Sequence, residues 1–205
     1  MNDRVTIEIT DGVADVRLNR PEKMNALDRA MFEGIATAGA TLAGHSGVRV
    51  VVLSGNGRAF CAGLDMASFT GLGGSANLGG RSHGRANLFQ HVAWLWRELP
   101  MPVIAAVHGV AFGGGFQIML GADIRIAAPD TKLSIMEIKW GLVPDMAGIA
   151  LTRGLVRDDV LRELTYTGRQ FSAEEGVANG CVTHVSPEPH GAAMTLAREI
   201  AAKNP

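Results

Sequence analysis

The chain has 205 residues, 47% of them apolar, and its 19 basic and 20 acidic side chains leave a net charge of −1. That length can bury a real core, and the even charge balance leaves no basic footprint for nucleic acid or an anionic membrane. Glycine is the outlier at 26 residues, against a usual share of about 7%, so many tight backbone positions are expected.

Residues 5–9 alternate with period two, and Asp11-Gly12 turns them into a second strand over 13–18, a hairpin by pattern and turn chemistry. Asn19-Arg20-Pro21-Glu22-Lys23 breaks the strand. Asp28 is the expected N-cap of a helix that sets Met31, Ile35, Ala38 and Leu42 on one face and stops at Gly44 to Gly47. Residues 48–53, apolar apart from Arg49, read as a buried strand. The stretch 70–84, rich in Gly, Ser and Asn, reads as a loop with no packed core.

A helix follows with Leu88, His91, Val92, Leu95 and Leu99 on one face, and Trp94 and Trp96 face different sides of it. Residues 103–107 read as a buried strand, 116–121 as a helix and 123–127 as a strand. Short helices are expected over 136–140, 147–154, 158–165 and 173–179. A strand over 182–185 and a terminal helix over 190–203 complete the pattern. The class is α/β, and no linker separates a second domain, so residues 1–205 are read as one domain.

Residues 99–122 carry no Asp, Glu, Lys or Arg, a length that could cross a bilayer. Pro100, Pro102, His108, Gln117 and five glycines argue instead for a buried strand, a turn and a buried helix. Two cysteines, Cys61 and Cys181, make no disulfide framework, and the start of the chain has no leader-like pattern. A reduced, cytoplasmic setting is the simplest reading. Cys61 sits among apolar neighbours and reads as buried and inert. The histidines show no metal-ligand spacing, so no metal is expected.

Two glycine turns, Ala59-Phe60-Cys61-Ala62-Gly63-Leu64-Asp65 and Gly109-Val110-Ala111-Phe112-Gly113-Gly114-Gly115, each follow an apolar strand, and the second opens a helix. Such turns present backbone N–H groups with no side chain in the way, and a helix N-terminus favours negative charge. Two of them facing one another could hold a developing oxyanion, although a glycine triplet taken alone more often serves tight packing.

Arg20-Pro21-Glu22-Lys23-Met24-Asn25-Ala26-Leu27, Phe60-Cys61-Ala62-Gly63-Leu64-Asp65, the triplet at Gly113 and Met136-Glu137-Ile138-Lys139-Trp140-Gly141-Leu142-Val143-Pro144 stand in one order and spacing. Together they resemble the crotonase superfamily and its enoyl-CoA hydratase/isomerase proteins, over residues 5–185. The resemblance implies a spiral of ββα repeats, with the family's C-terminal helices apparently truncated after residue 205. It also implies assembly as a homotrimer or a dimer of trimers, an acyl-CoA thioester substrate, and no cofactor beyond the coenzyme A that the substrate carries.

Residue by residue, the resemblance makes the backbone N–H groups of Leu64 and Gly114 the pair that grips the thioester oxygen. It places Met24, Asn25, Ala26 and Ala62 along the adenine and pantetheine path, with Asp65, Met66 and Gly113 at the pocket. It also places the loop over 70–84 beside the acyl pocket.

Hydratases of the family pair two glutamates, whereas this chain has Gln117 at the first position and Glu137 at the second. An amide cannot transfer a proton, though it can hold water or polarise a carbonyl. Asp145, eight residues after Glu137, matches the aspartate of the dienoyl-CoA isomerases, and two carboxylates in one apolar pocket push their pKa values apart into an acid and a base. Lys139 and Arg153 offer Asp145 an ion pair instead.

The reading is a double-bond shift by a Glu137–Asp145 proton relay with Gln117 in support. Its alternatives are a hydratase with Glu137 as the carboxylate and Gln117 orienting water, and an acyl-CoA binder or assembly protein with little turnover.

Overall fold

The computed structural model describes residues 3–67 and 78–204. Most of the loop expected over 70–84 therefore lies outside the described residues. Strand β1 (Val5–Thr10) folds back on β2 (Val13–Leu18) through Asp11 and Gly12, both at positive φ, as a two-residue hairpin turn requires. From β2 the sheet continues in parallel through β3 (Val50–Gly55), β4 (Val103–Val107), β6 (Ile124–Ala127) and β9 (His184–Val185). A second, three-stranded sheet joins β5 (Val110–Phe112), β7 (Lys132–Ser134) and β8 (Phe171–Ser172).

The long sheet is covered on both faces, which explains why β3 has no polar alternation. Val51 and Leu53 join Val16, Leu18, Ala105 and Val107 in the main core. Helices α1 (Arg29–Ala43), α2 (Leu88–Glu98) and α3 (Gly114–Leu120) pack on that side. Val50 and Val52 join Val13, Ile104 and Ala106 beneath Ala193 and Ala197 of the last helix, α7 (Pro189–Ala201). Between α3 and α7 lie α4 (Gly148–Thr152), α5 (Asp158–Thr167) and α6 (Ala173–Asn179).

The caps explain several boundaries. The Asp28 side chain accepts from the Met31 N–H and starts α1, and Asn87 with Gln90 forms a reciprocal capping box on α2. Trp96 is buried while Trp94 lies at the margin, bonded to Glu98, so the two do face different sides. The uncharged run 99–122 resolves into β4, β5 and α3. Among the described residues no helix is long and apolar enough to cross a membrane.

Several boundaries differ from expectation. The helix expected over 116–121 begins at Gly114, because the glycine turn itself enters the helix. The helix expected over 136–140 is a single 3-10 turn, Glu137–Trp140. The strand expected over 182–185 shortens to two paired residues, since only Ile126 and Ala127 remain beside it.

One polar cluster fastens α7 to the sheet. Asp15 is buried on the face of β2 beneath α7 and accepts from Arg17 Nε at 3.0 Å and Nη2 at 2.6 Å, with His190 Nε2 at 3.1 Å. Burial works to raise the Asp15 pKa, but the bonds from His190 and Arg17 outweigh it and hold the carboxyl below 3.8. A depressed carboxyl pKa contributes stability above the unfolded value that disappears as pH falls through the folded one. Asp15→Asn is therefore expected to cost about 1.5–3 kcal/mol near neutrality. In denaturant titrations the gap to wild type should close as the pH drops below 3.8, and a gap independent of pH would refute the assignment.

Candidate active site

The site forms where the two glycine turns meet. After β3, Phe60 and Cys61 run beside β5: the Phe60 N–H donates to His108 O at 2.9 Å, Cys61 N–H to Val110 O at 3.0 Å, and Phe112 N–H to Cys61 O at 3.1 Å. The next turn lies so close to β5 that a Cβ on Gly63 would fall 2.6 Å from Phe112 O and 3.6 Å from Gly114 N. Leu64 then pairs with Leu27: Leu27 N–H donates to Gly63 O at 2.8 Å and Asp65 N–H donates to Leu27 O at 3.1 Å. Both neighbours of the Leu64 N–H are thereby spent, and among the described residues that N–H has no acceptor.

Gly114 is in the same condition for a different reason. Gly113 N–H donates to Ser134 O at 3.0 Å and Gly113 O accepts from Gln117 N–H at 3.0 Å. Gly114 opens α3, so its own N–H precedes the first intrahelical bond.

From β7 the chain enters the 3-10 turn at Glu137, ended by Gly141 in the left-handed region. Glu137 Oε1 accepts from Gln117 Nε2 at 2.6 Å, and Gln117 Oε1 accepts from the Gly148 N–H at 2.8 Å. The amide thus bridges the Glu137 turn to the start of α4, three residues beyond Asp145. Glu137 Oε2 is buried with no hydrogen-bond partner among the described residues. Burial pushes the Glu137 pKa up, and the Asp145 charge adds to the rise, against the opposing bond from Gln117.

These groups open on a cavity of about 540 Å³, walled by apolar residues including Phe32, Leu64, Phe89, Met136, Leu142 and Met146. Gln117, Glu137 and Asp145 all line it. Asp145 makes no ion pair with Lys139 or Arg153 and no side-chain hydrogen bond among the described residues, and it stands as an exposed residue on the cavity wall. Such an apolar space suits an acyl chain, and two carboxyl residues and the two donor residues Leu64 and Gly114 line it.

Of the expected site residues, Glu137, Asp145, Gln117, Leu64, Gly114, Gly113, Ala62 and Met66 line this one cavity. Met24, Asn25, Ala26 and Asp65 stand apart from its wall. The Asn25 side chain serves the fold: its amide donates to the carbonyls of Asn56, Ala59 and Phe60 and accepts from Arg20 N–H, so it offers nothing to a ligand. Asp65, expected at the pocket, turns inward to Arg20 Nη1 at 2.7 Å. Cys61 is fully buried and burial raises its thiol to about 12, which leaves it inert as expected. Sequence reasoning missed Arg20 and Gly148 as parts of the site, since their roles depend on partners far along the chain. Among the described residues no group of three or more His, Cys, Asp or Glu is placed to hold a metal ion.

The enoyl-CoA hydratase/isomerase family model matches residues 8–205. A mitochondrial Δ(3,5)-Δ(2,4)-dienoyl-CoA isomerase from Rattus norvegicus is 30% identical over 98% of this chain and 65% of its own length. An enoyl-CoA hydratase from Mycobacterium tuberculosis is 35% identical over 91% of this chain and 68% of its own. The chain thus spans about two thirds of the length of these relatives. The crystal structure of an enoyl-CoA hydratase from Bacillus anthracis superposes with a TM-score of 0.87 at 30% identity, covering 98% of this chain and 78% of that one. On the family match, the sequence identity and the superposition, the chain belongs to the enoyl-CoA hydratase/isomerase family, with its crotonase-like fold.

Proposed function

We propose that the chain shifts a double bond in the acyl group of a CoA thioester, with a 3,5-dienoyl thioester as the favoured substrate class. The observation that carries this reading is the placing of two carboxyl groups, Glu137 and Asp145, on one apolar cavity while the polar side chain beside them, Gln117, is a bridged amide. Leu64 and Gly114 N–H form the oxyanion hole for the thioester oxygen; each such donor is worth about 2.7–4 kcal/mol. The Asp145 carboxylate removes a proton from C2, and the electron pair runs through the thioester to its oxygen. Glu137, whose raised pKa suits an acid, gives its proton to C6, and the 2,4-dienoyl product forms as the oxyanion collapses. A proton then passes back from Asp145 to Glu137 to restore the start.

The family resemblance extends the proposal to a homotrimer or a dimer of trimers in the cytoplasm, with no cofactor beyond the substrate's coenzyme A. The name of the M. tuberculosis relative favours the second reading, water addition with Glu137 as the working carboxyl.

Crotonyl-CoA, a 3-enoyl-CoA and a 3,5-dienoyl-CoA separate the readings. The dienoyl thioester is expected to give the conjugated 2,4-dienoyl chromophore, and Asp145→Asn to slow that by about 10²–10⁴-fold. Strong hydration of crotonyl-CoA that needs Glu137 but ignores Asp145, with no bond shift, decides for the hydratase. Binding of all three thioesters without turnover decides for a binding protein.

A further inference from the structure

We propose that Arg20 is a positioning residue for the thioester oxygen, acting through Asp65 to hold the Leu64 N–H opposite the Gly114 N–H. The proposal rests on the oxyanion hole of the preceding reading and adds a residue outside the cavity wall.

Arg20 lies in the break between β2 and the 3-10 turn Pro21–Lys23, far in sequence from the turn at Gly63. Its Nη1 donates both to Asp65 Oδ2 at 2.7 Å and to Ala26 O at 3.1 Å. Those two acceptors bracket the Leu27–Leu64 pair, one residue before Leu27 and one after Leu64. The Arg20 Nε lies 3.5 Å from Asp28 Oδ2, and Asp28 Oδ1 caps α1 through the Met31 N–H. One guanidinium therefore joins the start of α1, the Leu27 segment and the donor turn.

The environment makes this an effective clamp. The Arg20 and Asp65 side chains are only 11% and 14% exposed, so their attraction is weakly screened. The bond from Arg20 holds the Asp65 carboxyl below its usual range, which keeps it ionised near neutrality. Arg20 N–H is itself fixed by the buried Asn25 Oδ1 at 2.8 Å. The second donor, on Gly114, is set independently by α3, so a change at Asp65 moves one donor relative to the other. An oxyanion hole depends on that separation, because its donors must already stand where charge develops.

Loss of an interaction that strengthens mainly in the transition state lowers kcat with little change in KM. Asp65→Asn keeps shape and one acceptor but loses the charge, and is expected to lower kcat about 10-fold or more while KM moves less than about 3-fold. The carbonyl stretch of a bound, slowly reacting acyl-CoA thioester, read by difference infrared spectroscopy, should shift down in the wild type and shift less in Asp65→Asn. Arg20→Lys, which keeps the charge but reaches fewer acceptors, should retain more of the shift than Arg20→Met. It also serves as the folded second variant if Asp65→Asn is insoluble.

Equal carbonyl shifts and equal kcat in wild type, Asp65→Asn and Arg20→Lys, with only melting temperatures lowered, would overturn the proposal and leave the pair a structural tie. Failure of the wild type itself to shift the carbonyl would instead remove the oxyanion hole, and with it the reading on which the proposal rests.

Discussion

Replacing Glu137 by Gln is expected to cut turnover of the acyl-CoA substrate by about 10²–10⁴-fold, or roughly 3–5 kcal/mol of barrier, without loss of stability near neutrality. The substituted amide still offers an oxygen to Gln117 Nε2, so the 2.6 Å contact can persist; what disappears is the transferable proton. Burial, reinforced by Asp145, raises the Glu137 pKa above 4.5. The folded state then binds the proton more tightly than the unfolded chain, so stability declines as pH rises from 4.5 to the raised value. Glu137→Gln removes that decline. Its melting temperature should equal or exceed the wild type's at neutral pH, and the advantage should vanish below 4.5. Thermal melts across pH with parallel single-turnover assays check both halves. A variant that keeps its turnover refutes the catalytic role, and one that is less stable at every pH refutes the burial argument.

What can be read from the chain, and what cannot, follows the range of the forces involved. The β1–β2 hairpin and the Asp28 cap are legible because period-two alternation, a positive-φ turn and an N-cap act within a few residues. Strands β5, β7 and β8 escape a sequence reading, since two or three residues carry no measurable period, yet the β5–β7 pairing is what brings Gln117 beside Glu137. Arg20 and Asp65, 45 positions apart, leave no local trace of their pairing. Asn25 carries a structural role that the resemblance does not announce. It stands in a stretch whose resemblance implies ligand contact, but its positive φ and three backbone carbonyl acceptors make it an internal brace. The carboxylates can be named from the family resemblance, whereas their shared cavity depends on the left-handed Gly141 that ends the turn between them.

The same distinction between local strain and long-range placement can be measured at Gly63. Gly63→Ala is expected to lower turnover about 10²-fold or more and to destabilise the protein as well. At φ +86 a side chain is strained by itself, at about 1–2 kcal/mol. In addition, the new Cβ would stand 2.6 Å from Phe112 O, a backbone atom fixed by its pairing in β5 that cannot rotate away. The Gly63 turn must then recede from Gly114, opening the two proposed oxyanion donors, and loss of one such donor costs about 10²–10³ in kcat. Gly154→Ala isolates the first cost from the second. Gly154 has φ +80, but a methyl group there would meet nothing within 4 Å, so its substitution should cost about 1–2 kcal/mol and leave kcat intact. Denaturant titrations and steady-state kinetics on the two variants decide the matter. A stability loss in both variants with a kcat defect confined to Gly63→Ala places the close approach, and not backbone strain, at the root of the active-site geometry; matching kcat values in the two variants would overturn that account.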